Sequence, residues 1–202
     1  MRRLWAEAMG DQYPAEVEPF SSCTWWLLGQ LVAVLRLAPG GRLVDLGCGT
    51  GGPGLWLARA LSANLIGIDF SPVAVELAAQ RAPTFLAPGR AKFHRAAFDR
   101  TGLAEASVDA AMSVDAMPFA ADRVAALREA RRILVPGGRL AVTARVLPGG
   151  RGDWPAMARS VGMQVEDSLV NPDHEEFWRR LHTSWLANES RVRSWVIGPV
   201  GI

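Results

Sequence analysis

The residues best placed to do chemistry lie in LVDLGCGTGGPG, Leu43 to Gly54. Asp45 stands two positions before Gly47, and Gly47, Gly49 and Gly51 alternate with Cys48 and Thr50. The run satisfies GxGxxG through Gly47, Gly49 and Gly52, the fingerprint in which glycines let the backbone approach a pyrophosphate. It also satisfies GxGxG through Gly47, Gly49 and Gly51. Either match alone is weak, so the neighbours must decide. Asp45, near the end of a strand that points at the loop, repels a pyrophosphate and attracts an ammonium or sulfonium group. Asp69 ends the apolar run NLIGIDF. A carboxylate there takes both hydroxyls of a ribose, as NAD and adenosyl ligands both require. A third discriminator is an absence. Tyr13 is the one tyrosine and Lys92 the one lysine, far apart in the chain. The close Tyr/Lys pair of short-chain dehydrogenases is therefore missing, while oxidoreductases that use His or a metal remain open.

The elements around these residues alternate in type. Residues 1–10 read as a short helix, 11–21 as a loop, and Thr24 to Leu37 as a long apolar helix stopped by Pro39-Gly40-Gly41. Strands are expected at 42–46, 64–70, 91–96, 108–114 and 139–146, the third weaker than the rest. Helices are expected from Gly52 to Leu61, after Ser71-Pro72, and from Ala120 to Leu134, the last stopped by Pro136-Gly137-Gly138. Ser71 suits an N-cap and Pro72 a first helical position. Short apolar strands alternating with helices imply a doubly wound, mostly parallel α/β sheet. Ligands of such sheets bind beyond the carboxyl ends of the strands, where the glycine loop lies.

Bulk properties narrow the classes further. With 202 residues, half of them hydrophobic, one domain with a full core is expected. The 22 basic and 20 acidic residues are well mixed and net charge is +2, which argues against nucleic acid as a partner. No apolar run is long enough to span a membrane, and the N-terminus does not read as a signal peptide. Cys23 and Cys48 make no spaced disulfide or metal framework and read as reduced thiols of a cytoplasmic protein. His94, His174 and His182 are scattered, so no metal site is expected.

LVDLGCGTGGPG followed by LIGIDFSPVAVELA resembles the first two motifs of class I S-adenosylmethionine (SAM)-dependent methyltransferases. DAAMSVDAMPF and ALREARRILVPGGRLAVTA resemble their fourth strand and the segment leading to the fifth. The likeness covers residues 40–146, the cofactor-binding core. Residues 1–39 look like the helical lid of small-molecule methyltransferases of bacterial natural-product pathways, and 147–202 like a C-terminal strand with a helical insertion at 173–194.

The resemblance implies that Asp45 and the backbone at Gly47, Cys48 and Gly49 hold the methionine end of SAM, and that Gly51 permits close approach. Asp69 would bind the ribose, and Phe70 would pack on the adenine. After the third strand the family usually has an acid or small polar residue near the adenine amino group. Here that position is Ala97, followed by Phe98, so either the Phe98 backbone or Asp99 would serve. Ser113 would close the pocket beside the methionine part, and product S-adenosylhomocysteine (SAH) would leave the same site.

Methyl transfer from a sulfonium needs positioning and exclusion of water more than acid or base. Where the acceptor must lose a proton, Asp115 and His174 are the candidate bases. Tyr13, Trp25, Met117 and Trp178, among eight tryptophans and other aromatics, suggest a hydrophobic or aromatic small-molecule acceptor. Residues 162–170 are expected to form strand six, which leaves only SWVIGPVGI for strand seven. The chain reads as truncated there, or with this tail standing in, and an unfilled sheet position would favour a homodimer. Three alternatives stay open: a cyclase or isomerase on the same fold, a non-catalytic SAM-binding protein, and an NAD-dependent oxidoreductase.

Overall fold

The computed structural model describes residues 2–144 and 153–189. Its sheet runs β3-β2-β1-β4-β5, and every paired neighbour is parallel. The strands are β1 (Arg42–Leu46), β2 (Asn64–Asp69), β3 (Ala91–Arg95), β4 (Val108–Ser113) and β5 (Leu134–Val142). From β1 the chain winds outward through β2 and β3, then returns to add β4 and β5 on the other side. The loop after β1 therefore sits at the reversal point, where doubly wound sheets open a crevice.

Two apolar layers hold the sheet. Along β1, Leu43 joins one buried cluster, while Val44 and Leu46 join the other, as the two-residue period of a strand requires. The first cluster takes Leu28, Leu31 and Leu35 of α2 (Trp25–Leu35) and Leu55, Leu57 and Ala58 of α3 (Gly52–Ala60). On the opposite face lie Ala126, Leu127, Ala130 and Ile133 of α5 (Arg123–Ile133), with Trp154 and Met157 of α6 (Trp154–Ser160) at its margin. Asp45 shares the face of Leu43, so the alternation sends its carboxylate under α3 rather than α5.

Local chemistry explains the helix starts. The Thr24 hydroxyl accepts from the Leu27 N–H, Ser71 from Ala74 and Asp122 from Ala125, so each helix has one free donor satisfied. The helix α4 (Pro72–Arg81) carries Pro72 in its first turn, as expected.

Several expectations need correction. The helix expected to run to Leu134 ends at Ile133, and β5 begins at once with Leu134. Pro136-Gly137-Gly138 does not separate the two; it bulges within β5. Register advances from Leu134 to Arg139 while β4 advances only from Val108 to Ala110. Gly137 adopts φ +78°, and a Cβ on Gly138 would lie 3.0 Å from the Asp109 carbonyl oxygen, so the glycines are what make this bulge possible. The strand expected at 162–170 is absent: these residues form no ladder and are largely exposed. SWVIGPVGI lies outside the described residues, as do 145–152 and the end of the helix expected to reach 194. The described part of that helix is α7 (His174–Ala187). Residues 1–39 divide between two packing environments. The helix α1 (Arg2–Met9) packs with α7, whereas α2 belongs to the core layer.

A buried polar network ties α5 to the connection between β3 and β4. Glu129 of α5 accepts from the Thr101 N–H at 2.9 Å, the Thr101 hydroxyl at 2.6 Å and Arg132 Nε at 2.7 Å. The Arg132 guanidinium foremost, with Thr101, holds this carboxyl down at about 2. Glu129→Gln should destabilise the fold by about 1.5–3 kcal/mol, the usual loss for a hydrogen bond to a charged group. Because the folded pKa lies below the ordinary 4.5, the contribution is complete above that pH and disappears as pH falls toward 2. Urea titrations at pH 3 and pH 7 check this: the variant and the wild type should differ clearly at pH 7, and the gap should narrow at pH 3 without closing.

Candidate active site

Asp45 is the most constrained ionisable group at the reversal point. It is 2% exposed, and a Cβ on Gly54 would stand 2.5 Å from its Oδ2. Gly54 must therefore be glycine for α3 to descend onto the carboxylate. Burial first, and the nearby Asp69 charge second, push Asp45 up to about 7, although the Gly54 N–H donates to it. No ion pair to Asp45 occurs among the described residues. A buried acid with an acid beside it and no ion-pair partner is costly to ionise, which marks it as a functional-site candidate.

The glycine loop surrounds this acid. Gly47 (φ +80°), Gly49 (+51°) and Gly51 (+79°) all take left-handed backbone conformations that glycine adopts without strain. At Gly47 a Cβ would collide with the Ala116 methyl and reach the Phe98 ring at 3.1 Å. Gly49 faces open space, with nothing within 4 Å of where a Cβ would stand. The Gly47 and Cys48 N–H groups donate to the Ile68 carbonyl at 2.8 and 3.0 Å, pinning the loop to the end of β2. Cys48 is buried, and that burial raises its thiol, so it packs as a small neutral side chain.

Asp69 organises the opposite lip. Its Oδ2 accepts from the Gly49 N–H and its Oδ1 from the Ser71 N–H, both at 2.9 Å. Each oxygen keeps a second lone pair. Phe70 follows it, 73% exposed, a large ring without cover at the mouth of the crevice. These features fit a ligand with a cationic head, a ribose and a flat apolar base: Asp45 for the first, Asp69 for the second and Phe70 for the third.

The remaining expected residues divide. Phe98 turns its ring inward under Gly47. Ala97 and Arg100 bridge across a tight exposed turn that carries Asp99 at its tip in solvent. Ser113 is fully enclosed; its hydroxyl donates to the Leu46 carbonyl at 2.7 Å and accepts from the Met117 N–H at 2.9 Å. It therefore braces the wall from behind rather than lining the pocket. Met117 is likewise sealed, at 0% exposure, within the α5-side core, because the short 3-10 turn after β4 tucks it inward.

Among the acceptor-side candidates, Tyr13 is half-buried, and that burial, with the Glu18 charge, raises its phenol. Trp25 crosses edge-on with Trp56 of α3, ring centroids 5.5 Å apart, on the outer side of the core helices. Trp178 and His174 belong to the aromatic layer between α1 and α7, with Trp5, Phe177, His182 and Trp185 around them. That layer is a packing interface, so their helical spacing reflects core formation. Asp115 sits in the left-handed region at φ +54°. Its Oδ2 accepts from the Ser22 N–H at 2.6 Å and its Oδ1 from the Thr143 hydroxyl at 2.9 Å.

Sequence reasoning missed Arg81 and Val17. Arg81 Nη1 donates to the Thr50 carbonyl and hydroxyl at 3.1 and 3.2 Å, and Nη2 to the Val17 carbonyl at 3.0 Å. The Val17 carbonyl occupies the space that a side chain on Gly52 would need. No periodicity marks either residue; only the fold brings them together.

A central glycine loop, a buried acid on β1 and an acid ending β2 meet at the reversal point of a doubly wound sheet. Comparison with known proteins places the chain more closely. Residues 44–142 match the family model described as Methyltransferase domain. The chain is 33% identical over 169 residues to 27-O-demethylrifamycin SV methyltransferase of Amycolatopsis mediterranei (strain S699), covering 83% of this chain and 59% of that protein. To methyltransferase GfsG of Streptomyces halstedii it is 31% identical over 140 residues, covering 69% of this chain and 50% of that one. The solved structure of the 4+2 cyclase SpnF superposes with a TM-score of 0.74 at 27% identity, covering 84% of this chain and 68% of that chain. The chain belongs to the class I SAM-dependent methyltransferases. It spans 50% and 59% of the length of the two curated relatives.

Proposed function

We propose that this chain binds SAM at the β1–β2 crevice and transfers its methyl group to a small apolar acceptor by in-line displacement. The observation that carries the reading is the unpaired, buried Asp45 enclosed by the glycine loop and faced by Asp69. SAM supplies an already activated methyl carbon. The protein's own part is to place it and keep water out. Asp45 balances the cationic amino-acid end. The open face at Gly49 admits its carboxylate, and Asp69 holds the ribose while continuing to order the loop through Gly49 and Ser71. Phe70 covers the adenine, whose edge meets the backbone at Ala97 and Phe98. No cluster of metal-binding side chains occurs among the described residues.

The name of one curated relative, 27-O-demethylrifamycin SV methyltransferase, supports a small-molecule acceptor methylated at oxygen. A second reading, cyclisation beside bound SAM without its consumption, is favoured by the likeness to the 4+2 cyclase. One assay separates them. The chain is incubated with methyl-labelled SAM and a panel of hydroxylated macrocyclic and aromatic acceptors. Methyl transfer yields SAH and a labelled product in equal amounts. A product isomeric with its substrate, with no SAH formed, would establish the cyclase reading and overturn ours.

A further inference from the structure

The segment from Pro14 to Thr24 crosses the mouth of the crevice and is fastened on both sides. On one side, Val17 is fully buried with its carbonyl over Gly52. Arg81 reaches from the end of α4 to hold that carbonyl and the glycine-loop residue Thr50 with one guanidinium. Glu18 adds an ion pair to Arg81 at 4.0 Å, and Glu16 ties to Arg59 at 2.6 Å and to the Trp56 indole N–H at 2.8 Å. On the other side, the Ser22 N–H is held by Asp115 at 2.6 Å, after β4. In the sheet, β1 lies between β2 and β4. The segment is pinned at the glycine loop after β1 and again at Asp115 after β4, and these strands are neighbours, so it runs across their carboxyl ends.

We propose that Arg81 and Asp115 are positioning residues: two latches that hold this strap across the crevice, so that adenosyl ligands exchange only when the strap lifts. The proposal rests on the SAM-site reading above. The two latches differ in kind. Arg81 grips the strap and the glycine loop at once, so releasing it loosens both. Asp115 grips only the strap; its left-handed backbone, uncommon outside glycine, turns the carboxylate toward Ser22, and the Thr143 hydroxyl steadies it. Each Asp115 oxygen already accepts one donor, from Ser22 on the strap and from Thr143 after β5, so its carboxylate is oriented by the strap contact.

The test has two readouts on the whole chain. Hydrogen exchange of the ligand-free protein reports the strap directly: amides of 14–24 should exchange about tenfold faster in Arg81→Ala, and those of 20–24 in Asp115→Asn, with β1 and β4 unchanged. Stopped-flow measurement of SAH then reports exchange of ligand. Both its association and its dissociation should quicken, dissociation by about tenfold, a change equivalent to about 1.4 kcal/mol. Arg81→Lys, which keeps charge but loses the forked geometry, should restore only part of the slow dissociation. Unchanged strap exchange in both variants overturns the proposal. So does an Asp115→Asn enzyme with wild-type SAH kinetics and reduced turnover, which would make Asp115 the base. If wild-type protein binds no SAH, the SAM-site reading fails, and the hydrogen-exchange arm still decides whether the latches hold the strap.

Discussion

Replacing Asp69 by alanine should weaken SAH binding by about 1.5–3 kcal/mol, roughly 10- to 150-fold in Kd. The carboxylate has two duties in the structure. It keeps the Gly49 and Ser71 N–H groups in place, and its remaining lone pairs face the ribose in the proposed complex. A thermodynamic cycle separates the duties. Titrating wild type and Asp69→Ala with SAH and with its 2′,3′-dideoxy analogue isolates the ribose contribution as the coupling energy. Strong coupling identifies Asp69 as the ribose partner. Equal losses for both ligands would mean that Asp69 acts only by shaping the loop, and an unchanged Kd would remove it from the site.

Replacing Asp45 by asparagine should move binding and stability in opposite directions. In the folded, ligand-free protein its carboxyl is raised from 3.8 to about 7 by burial and by Asp69. Between those values the folded state holds a proton that the unfolded chain has lost. Stability therefore falls as pH rises from about 4 to 7, and the penalty is complete above 7. Asparagine is neutral and can still accept from the Gly54 N–H. At pH 8 the ligand-free variant should be more stable by about 1–4 kcal/mol, a rise of several degrees in Tm. Its SAH affinity should nevertheless drop, because the ammonium loses its counter-charge. In the wild type, binding below pH 7 must displace the Asp45 proton. Affinity should thus fall by up to about tenfold per pH unit below 7, and this dependence should vanish in Asp45→Asn. Thermal melts at pH 5 and 8, with titrations at the same values, check both halves. A variant that is less stable and keeps wild-type affinity would show that Asp45 is a structural acid.

The parts of this site legible from sequence are those set by local chemistry. Asp45, the alternating glycines and Asp69 lie at strand ends, where the strand period and the turn geometry dictate direction. Leu43, Val44 and Leu46 are apolar enough to mark β1 on their own. What escaped is tertiary. Met117 and Ser113 sit beside the crevice in the chain, but a short turn and a hydroxyl bond to Leu46 turn them into the core. Trp178 and His174 have helical spacing that suits a pocket equally well, and only the packing of α1 on α7 assigns them to an interface. Pro136-Gly137-Gly138 looked like a helix stop because proline and glycine usually are one; the bulge in β5 uses the same residues inside a strand. The segment 162–170, expected as strand six, finds no ladder partner among the described residues. Arg81 meets Val17 and Thr50 only through the fold, so nothing in the linear chain announces it.

The central claim is that the crevice above Asp45 is built for an adenosyl ligand bearing a positive charge. Calorimetric titration of the purified chain with SAM, SAH and NAD, side by side, tests it most directly. Micromolar binding of SAM and SAH, with no heat from NAD, is the result this account predicts. Binding of NAD with silence from both adenosyl ligands would contradict it and return the glycine loop to the pyrophosphate.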